Sequence, residues 1–154
     1  MSEMIRQFRT EDASSCCRLI HACLQSDSSL PLSLRKKIRN SETPENMAER
    51  ARLFYVAVFE SEGQILGIAG LDMNEVRLLC VSPMHHRRGI GRILLEHIKT
   101  MVPKELFSDV FVYSSLQAVN FYKACGFMEK GCFSFELGGE PLRTIFMTFA
   151  TIRM

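Results

Sequence analysis

Val-Ser-Pro-Met-His-His-Arg-Arg-Gly-Ile-Gly-Arg, residues 81–92, is the stretch of sequence that decides the fold. It follows an apolar run over residues 76–81 that is typical of a strand, and it precedes an amphipathic run over residues 90–101 that is typical of a helix. The first turn of a helix has unpaired backbone N–H groups and partial positive charge, so it attracts anions. The glycines of the turn let a ligand approach the backbone, and its arginines add fixed charge. We therefore predict a site for a phosphorylated cofactor.

The spacing of the glycines narrows the choice of cofactor. A dinucleotide fold needs G-x-G-x-x-G, but the third glycine would fall at Leu94, and no G-x-x-x-x-G-K-[ST] string for a nucleoside triphosphate occurs. The remaining pattern is [RQ]-x-x-G-x-[GA], with Gly89 and Gly91 as its glycines and His86 in its first position. Imidazole can still donate to a phosphate, and its titration predicts a pH-dependent cofactor affinity. For this stretch alone, an ordinary turn with solvent-facing arginines is the alternative.

A second motif occupies residues 115–127, Ser-Leu-Gln-Ala-Val-Asn-Phe-Tyr-Lys-Ala-Cys-Gly-Phe. It has the form S/N-x-x-A-x-x-F-Y-x-x-x-G-F, and with the first motif it resembles the GNAT superfamily of acetyl-CoA-dependent N-acetyltransferases. The resemblance covers most of residues 5–149 and is strong over residues 75–127. Taken alone, the second motif fits the core face of any helix, with Gly126 as a C-terminal cap.

The resemblance implies acetyl-CoA (coenzyme A) as the co-substrate, with its pyrophosphate on the glycine turn. It also implies that the pantetheine arm pairs with the strand before the turn, where the backbone N–H near Leu79 polarises the acetyl carbonyl. One such fixed donor contributes about 3 kcal/mol to catalysis. The cofactor-binding residues implied in this way are Leu79, Cys80, Val81, His86, Arg87, Arg88, Gly89, Ile90, Gly91, Arg92, Ser115, Asn120 and Tyr122.

Acetyl transfer to an amine also requires proton transfer, because an ordinary lysine ammonium has a pKa of about 10.4. Glu75 is the predicted general base, since it falls where several family members carry a catalytic glutamate. Asp72 is the second candidate, and either carboxylate could instead only attract a cationic substrate. Tyr122 matches the tyrosine that in this superfamily often protonates the leaving thiolate. The alternatives are a water-facing glutamate and a tyrosine whose hydroxyl pairs with backbone.

Size and composition are those of one globular domain, which we assign to residues 1–154 as a single GNAT-like N-acetyltransferase domain. The net charge is only +2 and the basic residues cluster locally, which argues against nucleic acid as a partner. No apolar run is long enough to span a membrane, and the first residues do not form a secretory signal. Six cysteines without metal-ligand spacing predict reduced, buried thiols, a cytoplasmic location and no metal.

The hydrophobic periodicity predicts an α+β fold (three-layer α/β/α), with a central mixed, mostly antiparallel sheet and helices on both faces. We expect strands over residues 5–9, 54–59, 65–71, 75–81, 110–113, 132–137 and 144–151. Helices are expected after Thr10, over residues 34–39, 44–52 and 116–124, and from Ile90 until Pro103 ends the helix. The last of these should bury Ile90, Ile93, Leu94, Ile98 and Met101 on one face.

The sequence thus favours an enzyme that transfers an acetyl group to a primary amine of a small molecule, protein or peptide by direct attack, with general acid and base help. A non-catalytic acyl-CoA-binding sensor or regulatory module is the alternative, and transfer of a larger acyl group such as succinyl is another. A homodimer is compatible with such a domain, although no segment indicates an interface. The resemblance puts the acceptor between residues 26–50 and residues 131–141. In or beside these regions are acidic and aromatic residues that suit a cationic amine with an apolar body: Glu42, Glu45, Glu49, Glu136, Glu140, Phe54, Tyr55, Phe133 and Phe135.

Overall fold

The computed structural model describes residues 2–151, within which the chain forms one seven-stranded sheet in the order β1-β2-β3-β4-β5-β7-β6. The strands are β1 Glu3–Gln7, β2 Tyr55–Ser61, β3 Gln64–Asp72, β4 Glu75–Val81, β5 Asp109–Ser114, β6 Met128–Leu137 and β7 Glu140–Ala150. Only β4 and β5 are parallel, so the predicted mixed, mostly antiparallel sheet is confirmed. Met1 and residues 152–154, which the predicted domain includes, lie outside the described residues.

Helices cover both faces of the sheet, as predicted. They are α1 Ala13–Ser26, α2 Leu32–Ser41, α3 Pro44–Leu53, α4 Ile90–Lys99 and α5 Val119–Ala124. Side chains of α1 and α3 form one hydrophobic cluster with β2 and β3, and side chains of α4 and α5 form a second with the opposite face. The predicted helix over residues 116–124 is a 3-10 turn, Leu116–Ala118, followed by α5. None of the helices in residues 2–151 is both long and apolar enough to cross a membrane.

Two glycines of β3 let helices approach the sheet closely. A Cβ atom on Gly67 would lie 2.7 Å from Cδ1 of Leu94, and one on Gly70 would lie 2.7 Å from Cε1 of Phe54. Leu94 is fully buried on α4, and Phe54 follows α3. Side chains therefore pack tightly against β3 from both faces of the sheet, and the contact at Gly67 fixes the position of α4.

The prediction for the buried face of α4 is wrong at Ile93 and Met101, which are 45% and 46% exposed, and Leu95 is fully buried instead. Each residue advances about 100° around a helix, so Leu95 falls beside Ile98 on the buried face and Ile93 falls beyond its edge. The helix also ends at Lys99 rather than at Pro103. The Thr100 hydroxyl donates to the His97 carbonyl at 2.6 Å, and the last turn tightens there.

The two parallel strands pair over a short distance and then separate. Glu75 pairs with Phe111 and Val76 with Val112, and no further pairs follow within the described sheet. Across from β3, the register shifts where β4 has one extra residue, Arg77, between Val76 and Leu78. Such a bulge bends a strand. The last five residues of β4, 77–81, consequently have no partner strand on the side of β5.

Candidate active site

The separation of β4 from β5 opens a cleft of about 740 Å³. Its walls are the end of β4, the glycine turn with the start of α4, the segment that joins β5 to α5, the α1–α2 segment and β7. The cleft thus brings together the two motifs, residues 81–92 and 115–127, which residues 93–114 separate in the chain. We refer to this space as the cleft.

Most of the predicted site residues lie together. Those that line the cleft are Leu79, Cys80, Val81, His86, Arg87, Gly89, Ile90, Gly91, Arg92, Ser115 and Tyr122. Three do not line it. Arg88 lines a separate polar hollow beside Glu3 and Glu62, Asn120 is exposed on α5, and Glu75 lies at the other end of β4.

The glycine turn has a left-handed backbone at two positions. Gly89 has φ 79° and is the N-cap of α4, and Arg87 has φ 66°, which is uncommon for a residue with a side chain. The first N–H to bond within the helix is that of Ile93, which donates to the Gly89 carbonyl at 3.0 Å. The preceding backbone N–H groups of the first turn are therefore available to an anion in the cleft.

Two side chains of this region stabilise the turn itself. His86 donates from Nε2 to the Val81 carbonyl at 3.0 Å, so the ring folds back on the end of β4. The Cys23 thiol donates to the same carbonyl at 3.2 Å. On α4, Arg92 donates to the carbonyl of Ala124 at 2.9 Å and so joins α4 to the end of α5. His86, in the first position of the motif, thus links the glycine turn to the end of β4 through this hydrogen bond.

Tyr122 is 5% exposed, and its ring packs edge-on against Phe121 and Phe127. Tyr122 lines the cleft from α5. Burial raises the pKa of Tyr122 well above its ordinary value, and nearby Cys80 and Cys125 raise it further. The phenol is therefore protonated at neutral pH and can serve as a proton donor.

Glu75 lies where β4 still pairs with β5, four residues before Leu79 and so about 13 Å away along an extended strand. Its carboxylate is 3.7 Å from Nη1 of Arg77, which also lies 3.4 Å from Asp72. Burial raises the pKa of Glu75, and Arg77 opposes that shift. The carboxylate has no direct contact with the cleft.

The six cysteines are free thiols, but the predicted burial is wrong for Cys132, which is exposed on the edge strand β6. Cys23 and Cys80 both line the cleft. Interaction with Cys23 and burial raise the pKa of Cys80, so its side chain is a neutral thiol. Among residues 2–151, no group of three or more His, Cys, Asp and Glu side chains could hold a metal ion.

The acidic and aromatic residues expected around the acceptor do not line the cleft. Glu42 pairs with Arg50, and the Tyr55 hydroxyl lies 2.7 Å from Nε2 of His97. One carboxylate that sequence reasoning missed does line it, Asp27, which is 8% exposed. Its only sequence signal is the polar break after α1, where Ser29 N–H donates to Asp27 Oδ1 at 2.9 Å.

Comparison with known proteins identifies the family. Residues 31–136 match the family model for an acetyltransferase (GNAT) domain, and the chain belongs to this family. The predicted resemblance is confirmed, and so is the predicted enzyme class, an acyltransferase, at the level of the family. An uncharacterized N-acetyltransferase from Chlorobaculum tepidum is 31% identical over 90 residues, which are 55% of this chain and 56% of that protein. The match spans about half the length of that curated relative.

Solved structures confirm the fold. A GCN5-related N-acetyltransferase from Rhodopseudomonas palustris has a TM-score of 0.89 at 18% identity, covering 97% of this chain and 96% of that one. PaiA N-acetyltransferase from Thermoplasma acidophilum, in complex with coenzyme A, has a TM-score of 0.78 at 16% identity, covering 97% and 99%. YncA from Salmonella typhimurium, with its cofactor acetyl-CoA, has a TM-score of 0.76 at 16% identity, covering 100% and 96%.

Proposed function

We propose that this protein transfers an acetyl group from acetyl-CoA to a primary amine. The observation that carries the proposal is the cleft itself, which is lined by the unpaired end of β4 and, after the turn over residues 82–88, by the left-handed Gly89 and the first turn of α4. An extended amide-containing arm can pair with the strand edge while its phosphates reach the helix N-terminus. Family membership and the two coenzyme-bound relatives support the same ligand.

We further propose roles for individual residues. The backbone N–H near Leu79 stabilises the oxyanion that forms when the amine nitrogen attacks the thioester carbonyl. When the carbon–sulfur bond breaks, the Tyr122 hydroxyl supplies a proton to the leaving thiolate. Glu75 accepts a proton from the amine through water, since it lies outside the cleft, and its raised pKa makes it a stronger base than an ordinary glutamate.

The remaining cofactor-binding residues of the sequence prediction are part of this proposal. Gly91 and Ile90 offer backbone N–H groups, Arg87 and Arg92 supply positive charge, and Ser115 faces the arm from the β5–α5 segment. Arg88 and Asn120 do not line the cleft, so we assign them no direct contact with the cofactor. A single domain over residues 1–154, a cytoplasmic location and self-association as a homodimer stay predictions.

An acyl-CoA-binding sensor is the second candidate, and the position of Glu75 outside the cleft is the observation that favours it. Calorimetry with acetyl-CoA, followed by an assay of free thiol across a panel of amines, separates the two. Binding with amine-dependent thiol release is the expected result. Binding without release for every amine identifies a sensor, and absence of binding overturns the proposal.

A further inference from the structure

One buried carboxylate lines the cleft. Asp27 is 8% exposed and is the single acidic residue among the described residues that line the cleft. The amide and the hydroxyl of Ser29 both donate to its Oδ1, at 2.9 and 2.5 Å, and no described residue donates to Oδ2. Arg35, the guanidinium on the same segment, donates instead to the carbonyls of Leu30 and Gln25. The negative charge of Asp27 therefore has no cationic partner within the described chain.

Five aliphatic side chains from α1, the α1–α2 loop, α2 and β7 line the same cleft as Asp27: Ile20, Leu24, Leu30, Ile38 and Leu142. Polar side chains line it too, and they include Ser26, Gln117 and Thr144, but polar atoms form the smaller part of its surface. A substrate rich in hydroxyl groups would therefore lose more hydration in this cleft than an alkyl amine would. A buried carboxylate in an apolar wall matches a ligand with one cationic group and a hydrocarbon body.

The α1–α2 segment also crosses the cleft and is tied down on its far side. At the tip of the β6–β7 hairpin, the Glu140 carboxylate accepts from Ser33 Oγ at 2.8 Å and lies 3.1 Å from Lys37 Nζ. Lys37 Nζ donates in addition to the Gly138 carbonyl at 2.8 Å. Nearer the second motif, the Ser28 N–H donates to Gln117 Oε1 at 3.2 Å. An extended peptide could enter the cleft only if these contacts of the α1–α2 segment were broken. We refer to the segment with these contacts as the span.

We propose that the acceptor is a small aliphatic amine whose ammonium group binds Asp27 inside this covered end of the cleft. The inference rests on the proposed acetyl transfer and names its substrate class. Asp27 acts as a specificity-determining residue, because its charge orients the nitrogen while the aliphatic wall holds the carbon chain. The aliphatic side chains disfavour aminoglycosides, and the contacts between the α1–α2 segment and the β6–β7 hairpin disfavour an extended peptide.

The test compares three acceptors by thiol release: butylamine, an aminoglycoside, and a hexapeptide with a free amino terminus. Wild-type protein should have a kcat/KM for butylamine at least tenfold above the other two. Asp27→Asn, which keeps the shape of the side chain, should raise the KM for butylamine tenfold or more and leave the acetyl-CoA Kd within twofold. Glu105→Gln, an exposed carboxylate far from the cleft, is the matched charge control and should change neither constant.

A second variant tests whether the span limits access to the cleft. Glu140→Ala removes the contacts of both Ser33 and Lys37 at the hairpin tip and should raise the relative rate with the hexapeptide at least threefold. Unchanged discrimination in this variant would overturn the role of the span, and an unchanged butylamine KM in Asp27→Asn would overturn the role of Asp27. Better turnover of the hexapeptide or the aminoglycoside by the wild type would overturn the substrate class.

A binding measurement separates this inference from the proposed function. Calorimetry of butylamine with the protein saturated by coenzyme A needs no turnover. Binding by the wild type with at least tenfold loss in Asp27→Asn supports the inference even for an inactive protein. No binding by the wild type overturns it, whereas the proposed function then still stands or falls with acetyl-CoA binding and thiol release.

Discussion

Gly91, in the first turn of α4, lies directly against the ring of Phe121. A Cβ atom on Gly91 would approach Cε1 and Cζ of that ring to 3.2 Å, which is tighter than most contacts of real Cβ atoms. Because Gly91 also lines the cleft, a longer side chain there must enter the space proposed for the pyrophosphate. Gly91→Glu adds volume and negative charge at that point, so we expect the acetyl-CoA affinity measured by calorimetry to fall at least 100-fold.

Ile93→Glu is the matched control for that prediction. It adds the same charge to the same helix, but the side chain of Ile93 is 45% exposed and does not line the cleft. We expect its acetyl-CoA affinity to stay within threefold of the wild type. Comparable losses in both variants would show that charge on α4, rather than the surroundings of Gly91, controls binding.

Tyr122→Phe tests the proton donor. Phenylalanine keeps the ring packing against Phe121 and Phe127, so we expect the free energy of unfolding to change by less than about 1.5 kcal/mol. The kcat should fall about 100-fold, a typical contribution of general acid catalysis, and the acetyl-CoA affinity should not change. Tyr55→Phe is the control, because its hydroxyl contacts His97 outside the cleft and its loss should cost about 1 kcal/mol of stability without reducing kcat. A wild-type rate in Tyr122→Phe would remove this residue from the mechanism.

Glu75→Gln tests the general base through the pH dependence of the rate. A base must be deprotonated, so the wild-type rate should fall as the pH decreases through the Glu75 pKa, which burial holds above its ordinary value. The variant should be at least tenfold slower at pH 7 and should lack that acidic limb. Asp72→Asn should keep both the rate and the limb. If Asp72→Asn is slow and lacks the acidic limb while Glu75→Gln is unaffected, Asp72 is the base. If neither variant changes the pH dependence of the rate, the amine loses its proton without either carboxylate.

Asp12→Asn tests an ion pair that joins the start of α1 to the edge of the sheet. Arg6 Nη1 lies 2.8 Å from Asp12, and the Arg6 side chain holds the pKa of this carboxyl below its ordinary value of 3.8. The charge of Asp12 therefore stabilises the fold above pH 3.8, and this contribution is lost as the pH falls through the lower folded-state value.

Urea unfolding at pH 7 should give a free energy about 1–3 kcal/mol lower for Asp12→Asn than for the wild type. The difference should shrink steadily below pH 3.8, where the wild-type carboxyl becomes protonated. Glu49→Gln, which removes an exposed pair with Arg52, should cost less than about 0.5 kcal/mol at either pH. A difference for Asp12→Asn that persists at pH 2 would assign the loss to packing rather than charge.

Local signals in the sequence predict much of this fold. The β2–β3 hairpin turns at Glu62 and Gly63, whose φ values of 51° and 78° are those that a tight hairpin requires. Pro44 is the first residue of α3, where its fixed φ favours the start of a helix. Gly89 is the N-cap of α4, where glycine readily adopts the left-handed backbone. Side-chain periodicity identifies the remaining elements. Each of these signals acts within a few residues, which is the range that a single sequence reveals.

The rest depends on contacts between distant segments. In the sheet, β7 lies between β5 and β6. This strand order depends on packing across the sheet, and no local sequence pattern predicts it. Asp27 carries an ordinary turn signal, and its importance depends on the aliphatic side chains that α2 and β7 bring around it. Likewise, Glu75 matches a family motif, but its distance from the cleft depends on where β4 and β5 separate. The two motifs therefore predicted many of the residues that line the cleft, whereas no motif indicated Asp27.

The separation of β4 from β5 has a thermodynamic consequence. A central pair of strands that parts after Val76 leaves out ladder hydrogen bonds that an ordinary sheet would have. A ligand arm that pairs with the free edge acts as a replacement strand, and its binding adds to the stability of the whole fold. At a ligand concentration 100 times Kd this gain is about 2.7 kcal/mol. The melting temperature of this protein should therefore rise with the cofactor concentration. The size of the rise would report the fraction of molecules in which a ligand pairs with the free edge of β4.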